Sequence, residues 1–427
     1  MTKIPTSFFS RGSKLVGLAS KLAVKELSSR VKTWESDAEK LKAKLLLAQD
    51  VVRTLSQLKG ASMKLGQLLS LDLGEYLPPE VIRVLEELHH QSTFLPFEQI
   101  EATLKAELKD KFTDFESIEE IPIAAASIGQ VHRAVLAGKT VVIKVQYPGV
   151  AESIPSDLKL LRVIVRQLTF FQGKDIDFAP FFDEVEEVLF KEADYCHEIQ
   201  MHQIYRKKFE GSPYVIPEVY PEHSTGKVLT SEFIAGVSFV KWLETRPSQD
   251  TRNRLAQLFM RLYLEELFHH GIVQTDPNPG NFLITQDDRI ALLDFGAAKV
   301  YSRDFVDGYR KVLLAAHRKE RRSLLEESLK LKFIDARESP EVQELYLNMM
   351  EFLSEPFRED ADFDFADRSF LDRSRVLAWE LTRKCKHSPP PKDLLFLHRK
   401  LAGMFFFIKK LEVKINLKDY WHLVEEL

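Results

Sequence analysis

Asp276, Asn281 and Asp294 carry the most chemical information in this chain, all within Gly271–Lys299 (GIVQTDPNPGNFLITQDDRIALLDFGAAK). Phosphoryl transfer needs a carboxylate beside the incoming nucleophile and oxygen ligands for the magnesium that neutralises the phosphates. In that scheme Asp276 orients or deprotonates the nucleophile, while Asn281 and Asp294 hold the metal. The spacing has a mechanical cause. A tight loop carries Asp276 and Asn281, and an apolar hairpin (Asn281–Ile284 and Ile290–Leu293, turned at Asp287-Asp288) brings Asp294 back beside them. A lone Asp-Phe-Gly means little, because ordinary residue usage produces one in roughly one chain of this length in fifteen. The same tripeptide after Asp-x4-Asn and an apolar hairpin is a much rarer coincidence. The plain alternative is that Asp276 and Asn281 only shape a turn beside Pro277, Pro279 and Gly280.

A site of this kind needs a phosphate loop and a cation upstream. Ile121–Val135 (IPIAAASIGQVHRAV) predicts strand, turn, strand; Gly138 and Lys139 make the next turn, and Thr140–Val145 (TVVIKV) follows as a β-branched strand. Val-Val-Ile-Lys is close to the V-A-I-K signature, whose lysine touches the α- and β-phosphates, so Lys144 is expected to act with Asp276 in the chemistry. Where a kinase carries a glycine-rich loop, this chain has Ala124-Ala125-Ala126-Ser127-Ile128-Gly129. Alanine disfavours the positive φ angles that glycine allows, so a stiffer, differently shaped loop is expected over the nucleotide.

These motifs resemble the UbiB/AarF/ADCK family of atypical kinases, from about Leu58 to Lys299 with a continuation to the C-terminus. Lys64-Leu65-Gly66-Gln67 fits that family's KxGQ element and Glu192-Ala193-Asp194 its ExD element. The variant Gln274-Thr275-Asp276-Pro277-Asn278, with Gln146-Tyr147-Pro148-Gly149-Val150, is similar to the branch that supports ubiquinone biosynthesis. The resemblance implies an α+β, two-lobed protein-kinase-like fold with an N-terminal helical extension. Its parts would be a basic amphipathic N-terminus (1–57), the KxGQ extension (58–110), an N-lobe (111–230) and a helical C-lobe (231–427). It further implies ATP and Mg2+ as cofactors. Lys64 and Gln67 would regulate by facing Glu192 and Asp194, and Lys144 would pair with Glu198. By analogy with kinases, the backbone at Glu232 and Phe233 would meet the adenine edge.

Read from periodicity, Phe181–Gln203 is one amphipathic helix with Phe182, Val185, Leu189 and Tyr195 on its apolar side. At about 100° per residue, Asp194 and Glu198 share a face and Glu192 lies well round the cylinder. One lysine could not easily serve both glutamates; two lysines, one to each, could. Beyond Asp-Phe-Gly no Ala-Pro-Glu appears, and helical pattern resumes from Phe305 to Leu325. A peptide-docking platform of the kinase type is therefore not expected, which weighs against general protein phosphorylation.

A chain of 427 residues accommodates two lobes, and a net charge of −4 indicates no polyanionic partner such as nucleic acid. Cys196 and Cys385 are the two cysteines, without metal spacing, which suits a reducing compartment. The N-terminus is basic and apolar before its first acid, Glu26. It could be an import peptide, a helix lying on an anionic membrane, or a helix packed on the domain. A retained helix is favoured, because the helical pattern continues through Val31–Leu58 without a small-residue cleavage site. No segment suits a bilayer span. Leu394–Leu411 reads as an amphipathic C-terminal helix after Pro389–Pro391, its Phe405-Phe406-Phe407 cluster suiting a core or interface.

The expected activity is ATP- and magnesium-dependent: an ATPase, or a kinase of a small-molecule or lipid-like substrate, supporting quinone-biosynthesis enzymes. The competing reading is a nucleotide-binding scaffold that organises such enzymes with little phosphotransfer. The expected location is cytoplasmic, or peripheral on the inner membrane, facing the matrix if the source is eukaryotic.

Overall fold

The computed structural model describes residues 94–170, 179–387 and 391–425. The expectations for 1–57 and for Lys64 and Gln67 lie outside these residues. Two compact units emerge. The first holds the described residues up to Gln200 with Glu218–Phe233, and the second holds Met201–Pro217 and everything from Ile234.

The first unit begins with helix α1, Phe97–Leu108, whose Ile100, Leu104 and Leu108 form the i, i+4, i+8 stripe of a helix buried on one side. Strands β1 (Phe115–Ile118), β2 (Ala124–Ala126), β3 (Gly129–Leu136) and β4 (Lys139–Gln146) follow, then helix α2 (Val150–Phe170). In β4 the period of two is plain. Val141, Ile143 and Val145 are buried, which turns Val142 and Lys144 to the other face.

The single helix expected over Phe181–Gln203 is two helices, α3 (Ala179–Glu192) and α4 (Tyr195–Lys208). Asp194 causes the break. Its Oδ1 accepts the Cys196 N–H at 3.0 Å and its carbonyl accepts the His197 N–H at 3.1 Å, so it starts a new helix instead of continuing the old one. Glu192 and Glu198 therefore sit on different helices, and the one-cylinder geometry does not apply to them.

Met201 and Tyr205 of α4, with Phe209 just after it, are buried in the second unit's core, so Met201–Pro217 separates from the expected N-lobe 111–230. Conversely, α1, expected in the extension 58–110, shares its core with Val141, Ile143 and Val145 of the first sheet. Strand β5 (Tyr214–Val215) belongs to the second unit, and β6 (Val228–Glu232) completes a five-stranded antiparallel sheet in the first, ordered β1-β3-β4-β6 with β2 also on β3.

A buried polar knot joins this sheet to the chain that enters it. Gln130 accepts the Leu95 N–H through Oε1 at 2.9 Å and meets His132 Nε2 through Nε2 at 2.9 Å. His132 Nδ1 lies 2.7 Å from the Glu119 carbonyl, which can only accept, so this imidazole is neutral with its proton on Nδ1. Burial pushes the imidazole below its ordinary value of 6.5, against the opposing effect of that carbonyl. The unfolded chain thus takes up the proton first, so stability is full above pH 6.5 and declines as pH falls below it. Gln130→Leu strands the Leu95 N–H and the imidazole nitrogen, and should cost about 2–4 kcal/mol. Thermal melts at pH 7.5 and 5.5 check both points: a melting temperature indifferent to the substitution, or to acid, contradicts them.

The second unit continues with β7 (Gly236–Ser238), α5 (Phe239–Glu244) and α6 (Gln249–Leu264), which widens into a π-type turn over Glu265–His269. Gly271 then reverses the chain at φ 62°, a conformation glycine adopts without strain. Strands β8 (Ile272–Gln274), β9 (Phe282–Thr285), β10 (Ile290–Leu292) and β11 (Ala298–Val300) lead into α7 (Arg303–Arg318) and α8 (Arg321–Lys330). After α9 (Pro340–Arg358) come β12 (Asp362–Asp364), α10 (Arg368–Lys384), α11 (Lys392–Lys410), β13 (Lys414–Asn416) and α12 (His422–Glu425). One sheet runs β5-β10-β9-β7, while β11 pairs with β8 and β12 with β13. Phe407 of α11 is a keystone of the core, stacked on Phe259 at 5.0 Å and edge-on to Phe239 at 4.9 Å and Phe282 at 5.2 Å. Phe406, one residue earlier, is exposed.

Candidate functional site

In the second unit, the loop from Thr275 to Asn281 is tied at both ends to the strands that carry Asp294. Thr275 donates to the Ala297 carbonyl through its N–H at 3.3 Å and its Oγ at 2.7 Å. At the other end the Leu293 N–H donates to the Asn281 carbonyl at 3.0 Å. The hairpin has the expected register, with Ile290 opposite Ile284 and Leu292 opposite Phe282. Asp288 turns it at φ 54°, a left-handed conformation that aspartate tolerates. Inside the loop, Asn278 Oδ1 accepts the Gly280 N–H at 2.9 Å and its carbonyl accepts the Asn281 N–H at 2.9 Å.

Asn281 and Asp276 are in direct contact. Asn281 Nδ2 donates to Asp276 Oδ2 at 3.0 Å, which aims the amide nitrogen at Asp276 and leaves Oδ1 as the Asn281 atom suited to a cation. Asp294 is fixed by the two residues that follow it. Its Oδ1 accepts the Gly296 N–H at 3.0 Å, and Phe295 is fully buried against Tyr205 and His202, with ring centroids 4.5 and 4.4 Å away. Carboxylate and carboxamide oxygens are hard donors of the kind magnesium takes, and magnesium needs only one or two protein ligands when phosphates complete its shell. The residues present fit such an ion. Soon after Gly296 the chain enters β11 and then α7, capped by Ser302, whose Oγ accepts the Phe305 N–H at 3.2 Å.

In the first unit, Lys144 on the outer face of β4 reaches Glu198 in the first turn of α4. Its Nζ donates to both carboxylate oxygens, at 2.8 and 2.9 Å. The ammonium also stands 5.0 Å from the centre of the Tyr195 ring. Only 1% of the Glu198 side chain and 13% of the Lys144 side chain are exposed. Gln146, at the end of β4, props this corner by donating to the carbonyls of Ala193 at 2.8 Å and Gly226 at 3.1 Å.

The alanine loop is organised differently from a nucleotide-cradling glycine loop. Ala124, Ala125 and Ala126 form β2, with Ala126 opposite Gly129 across the turn. Ser127, at the tip, donates to Glu192 Oε2 at 2.8 Å. Gly129, expected among the nucleotide contacts, is buried, and a side chain there would collide with the Val145 carbonyl. Its glycine is required by strand packing. The expected adenine contacts are also partly committed elsewhere: the Glu232 N–H donates to the Glu218 carbonyl at 2.7 Å and the Phe233 N–H to the Thr140 carbonyl at 3.3 Å. The Arg133 guanidinium lies 4.5 Å over the Phe233 ring. Asp194, expected to engage an upstream lysine, uses its Oδ1 to cap α4.

The family model for the "ABC1 atypical kinase-like domain" matches residues 87–328, more than half of the chain. The chain belongs to the ABC1 atypical kinase-like family. Curated relatives of this family include the mitochondrial atypical kinase COQ8B of Danio rerio, 34% identical over 98% of this chain and 68% of its own length. The mitochondrial atypical kinase COQ8 of Saccharomyces cerevisiae is 33% identical over 97% of this chain and 84% of its own. Among solved structures, the complex of Rv3197 with erythromycin from Mycobacterium tuberculosis aligns with a TM-score of 0.62 at 26% identity, covering 92% of this chain and 98% of that one. The two-lobed kinase-like fold read from the motifs is thus the fold of this ABC1 member. Among the described residues, no helix is long and apolar enough to cross a membrane.

Proposed function

We propose that this ABC1 protein binds ATP with Mg2+ and turns it over, as an ATPase or by phosphorylating a small or lipid-like molecule in support of ubiquinone biosynthesis. The observation that carries this reading is the fixed group of Asp276, Asn281 and Asp294 in one unit, with Asn281 bonded to Asp276 and the strand before Asp294 bonded to Asn281. Asn281 and Asp294 are the residues that would hold the magnesium, which when bound neutralises charge on the transferring phosphoryl group. Asp276 accepts or orients the nucleophile's proton. Lys144, paired with Glu198, serves the α- and β-phosphates. The mitochondrial names of the relatives support a mitochondrial location, and the matrix side of the inner membrane with peripheral contact is part of this proposal.

A nucleotide-binding scaffold is the second reading, favoured by Ser127 being bonded to Glu192 and not presented to a ligand. Turnover by the purified chain, with and without anionic liposomes and quinone-like phenols, tests the first reading; stimulation by either is expected. Rescue of quinone synthesis by Asp276→Asn, with ATP binding kept and hydrolysis lost, would favour the scaffold.

A further inference from the structure

Beneath the loop that carries Asp276 lies a closed polar cluster of which only Gln274 belongs to the motifs. Glu266, Lys400, Gln274 and Tyr205 are all buried, none more than 1% exposed. Glu266 comes from the π-type turn after α6, a local widening of the kind that recurs at functional sites. Lys400 Nζ stands 3.0 Å from Glu266 Oε2, and Tyr205 donates to Glu266 Oε1 at 3.0 Å. Gln274 completes the cluster. Its N–H donates to Glu266 Oε1 at 3.2 Å, its Oε1 accepts from Lys400 at 3.4 Å, and its Nε2 donates to the carbonyl of Asp276 itself at 2.8 Å.

One turn further along α11, Gly403 meets the same loop by contact alone. A Cβ at that position would collide with the Pro277 ring, so only glycine lets the helix approach this closely. Two residues of one helix thus press on consecutive residues of the loop: Lys400 on Asp276 through Gln274, and Gly403 on Pro277.

A lysine and a glutamate buried without solvent contribute little net stability compared with apolar side chains of similar size. Their arrangement does secure an orientation. The Lys400 ammonium can only donate, so it fixes the Gln274 amide with its oxygen toward α11 and its nitrogen toward the Asp276 carbonyl. Without that cation the amide could turn over, and the bond to the loop would be lost. Burial pushes the Glu266 carboxyl above the ordinary carboxylate range, and Lys400 opposes that shift.

We infer that α11 sets the position of the catalytic loop, with Lys400, Gln274 and Gly403 as positioning residues that hold the Asp276 backbone where its carboxylate meets the nucleophile. This rests on the function proposed above, and extends it to a helix that lies after the family-matched segment. The same pair of measurements applies to each of two variants. Gln274→Met keeps length and burial while removing the amide. Lys400→Met combined with Glu266→Gln removes the cation without leaving a buried carboxylate behind.

Hydrogen exchange over residues 275–281, in nucleotide-free protein, should be faster in both variants. ATP turnover should show kcat reduced about tenfold to a hundredfold with KM for ATP within about twofold, since small misplacements of a catalytic group cost that much. Gly403→Ala, which pushes on the loop from the other contact, should give the same pattern. A merely structural role would lower the melting temperature without dividing kcat from KM. Wild-type exchange, or wild-type kcat, in a folded variant overturns the inference. If the unsubstituted protein shows no ATP turnover, it is the functional reading that fails, and the exchange rates alone decide whether α11 holds the loop.

Discussion

Asp294→Asn should lower magnesium-dependent ATP turnover by about three orders of magnitude, about 4 kcal/mol of barrier, in a protein that still folds. The substitution is isosteric. Asparagine keeps an Oδ1 to accept the Gly296 N–H, so the turn that now closes at 3.0 Å survives. The adjacent Phe295 anchor, fully buried against Tyr205 and His202, is untouched. What disappears is the negative charge that a divalent cation needs. Nucleotide affinity should therefore lose its magnesium dependence, while the melting temperature moves by no more than about 2 °C, less than a change of 1 kcal/mol produces. Full turnover in the folded variant would remove the metal role from Asp294.

Lys144→Met should be costly in two separable ways. It strips Glu198 of an ammonium that contacts both carboxylate oxygens, in a setting where only 1% of the glutamate side chain meets solvent. Removing one member of such a pair costs about 3–5 kcal/mol. Adding Glu198→Leu should restore most of that stability, because two apolar side chains fill the space without a stranded charge. It should not restore turnover, since the Lys144 cation proposed to serve the phosphates is gone, and a loss of at least about a hundredfold should persist. Melting temperature and kcat measured on the single and double variants separate the two effects. A double variant that regains both would make the pair a structural device only.

The parts of this site legible in the sequence are those built by local rules. The β4 strand that carries Lys144 was legible as a β-branched run, and its period of two turns Lys144 away from Val141, Ile143 and Val145. The hairpin before Asp294 was legible because apolar runs flanked Asp287 and Asp288, and the latter does take the left-handed turn. The break at Asp194 was not, since apolar spacing continues on both sides and only the capping bond interrupts the helix. The packing demand at Gly129 was illegible for a related reason. A glycine in a loop motif suggests phosphate contact, whereas its requirement comes from the Val145 carbonyl on a neighbouring strand. The cluster beneath Asp276 was invisible because Gln274 and Lys400 are 126 residues apart. A lysine or glutamate amid apolar helix positions was the one available signal, and nothing local says where its partner lies.

That separation sets an order of events during synthesis. A ribosome that has translated as far as Lys299 has made every residue the phosphoryl chemistry names, yet Lys400, Gly403 and Phe407 do not exist. The Pro277 ring has no helix to rest on, and the Gln274 amide has no cation to choose its direction. A message cut short anywhere between those points encodes all the motifs but not the helix inferred to seat their loop. Under the proposed function, activity is expected only once α11 has cleared the exit tunnel and can dock.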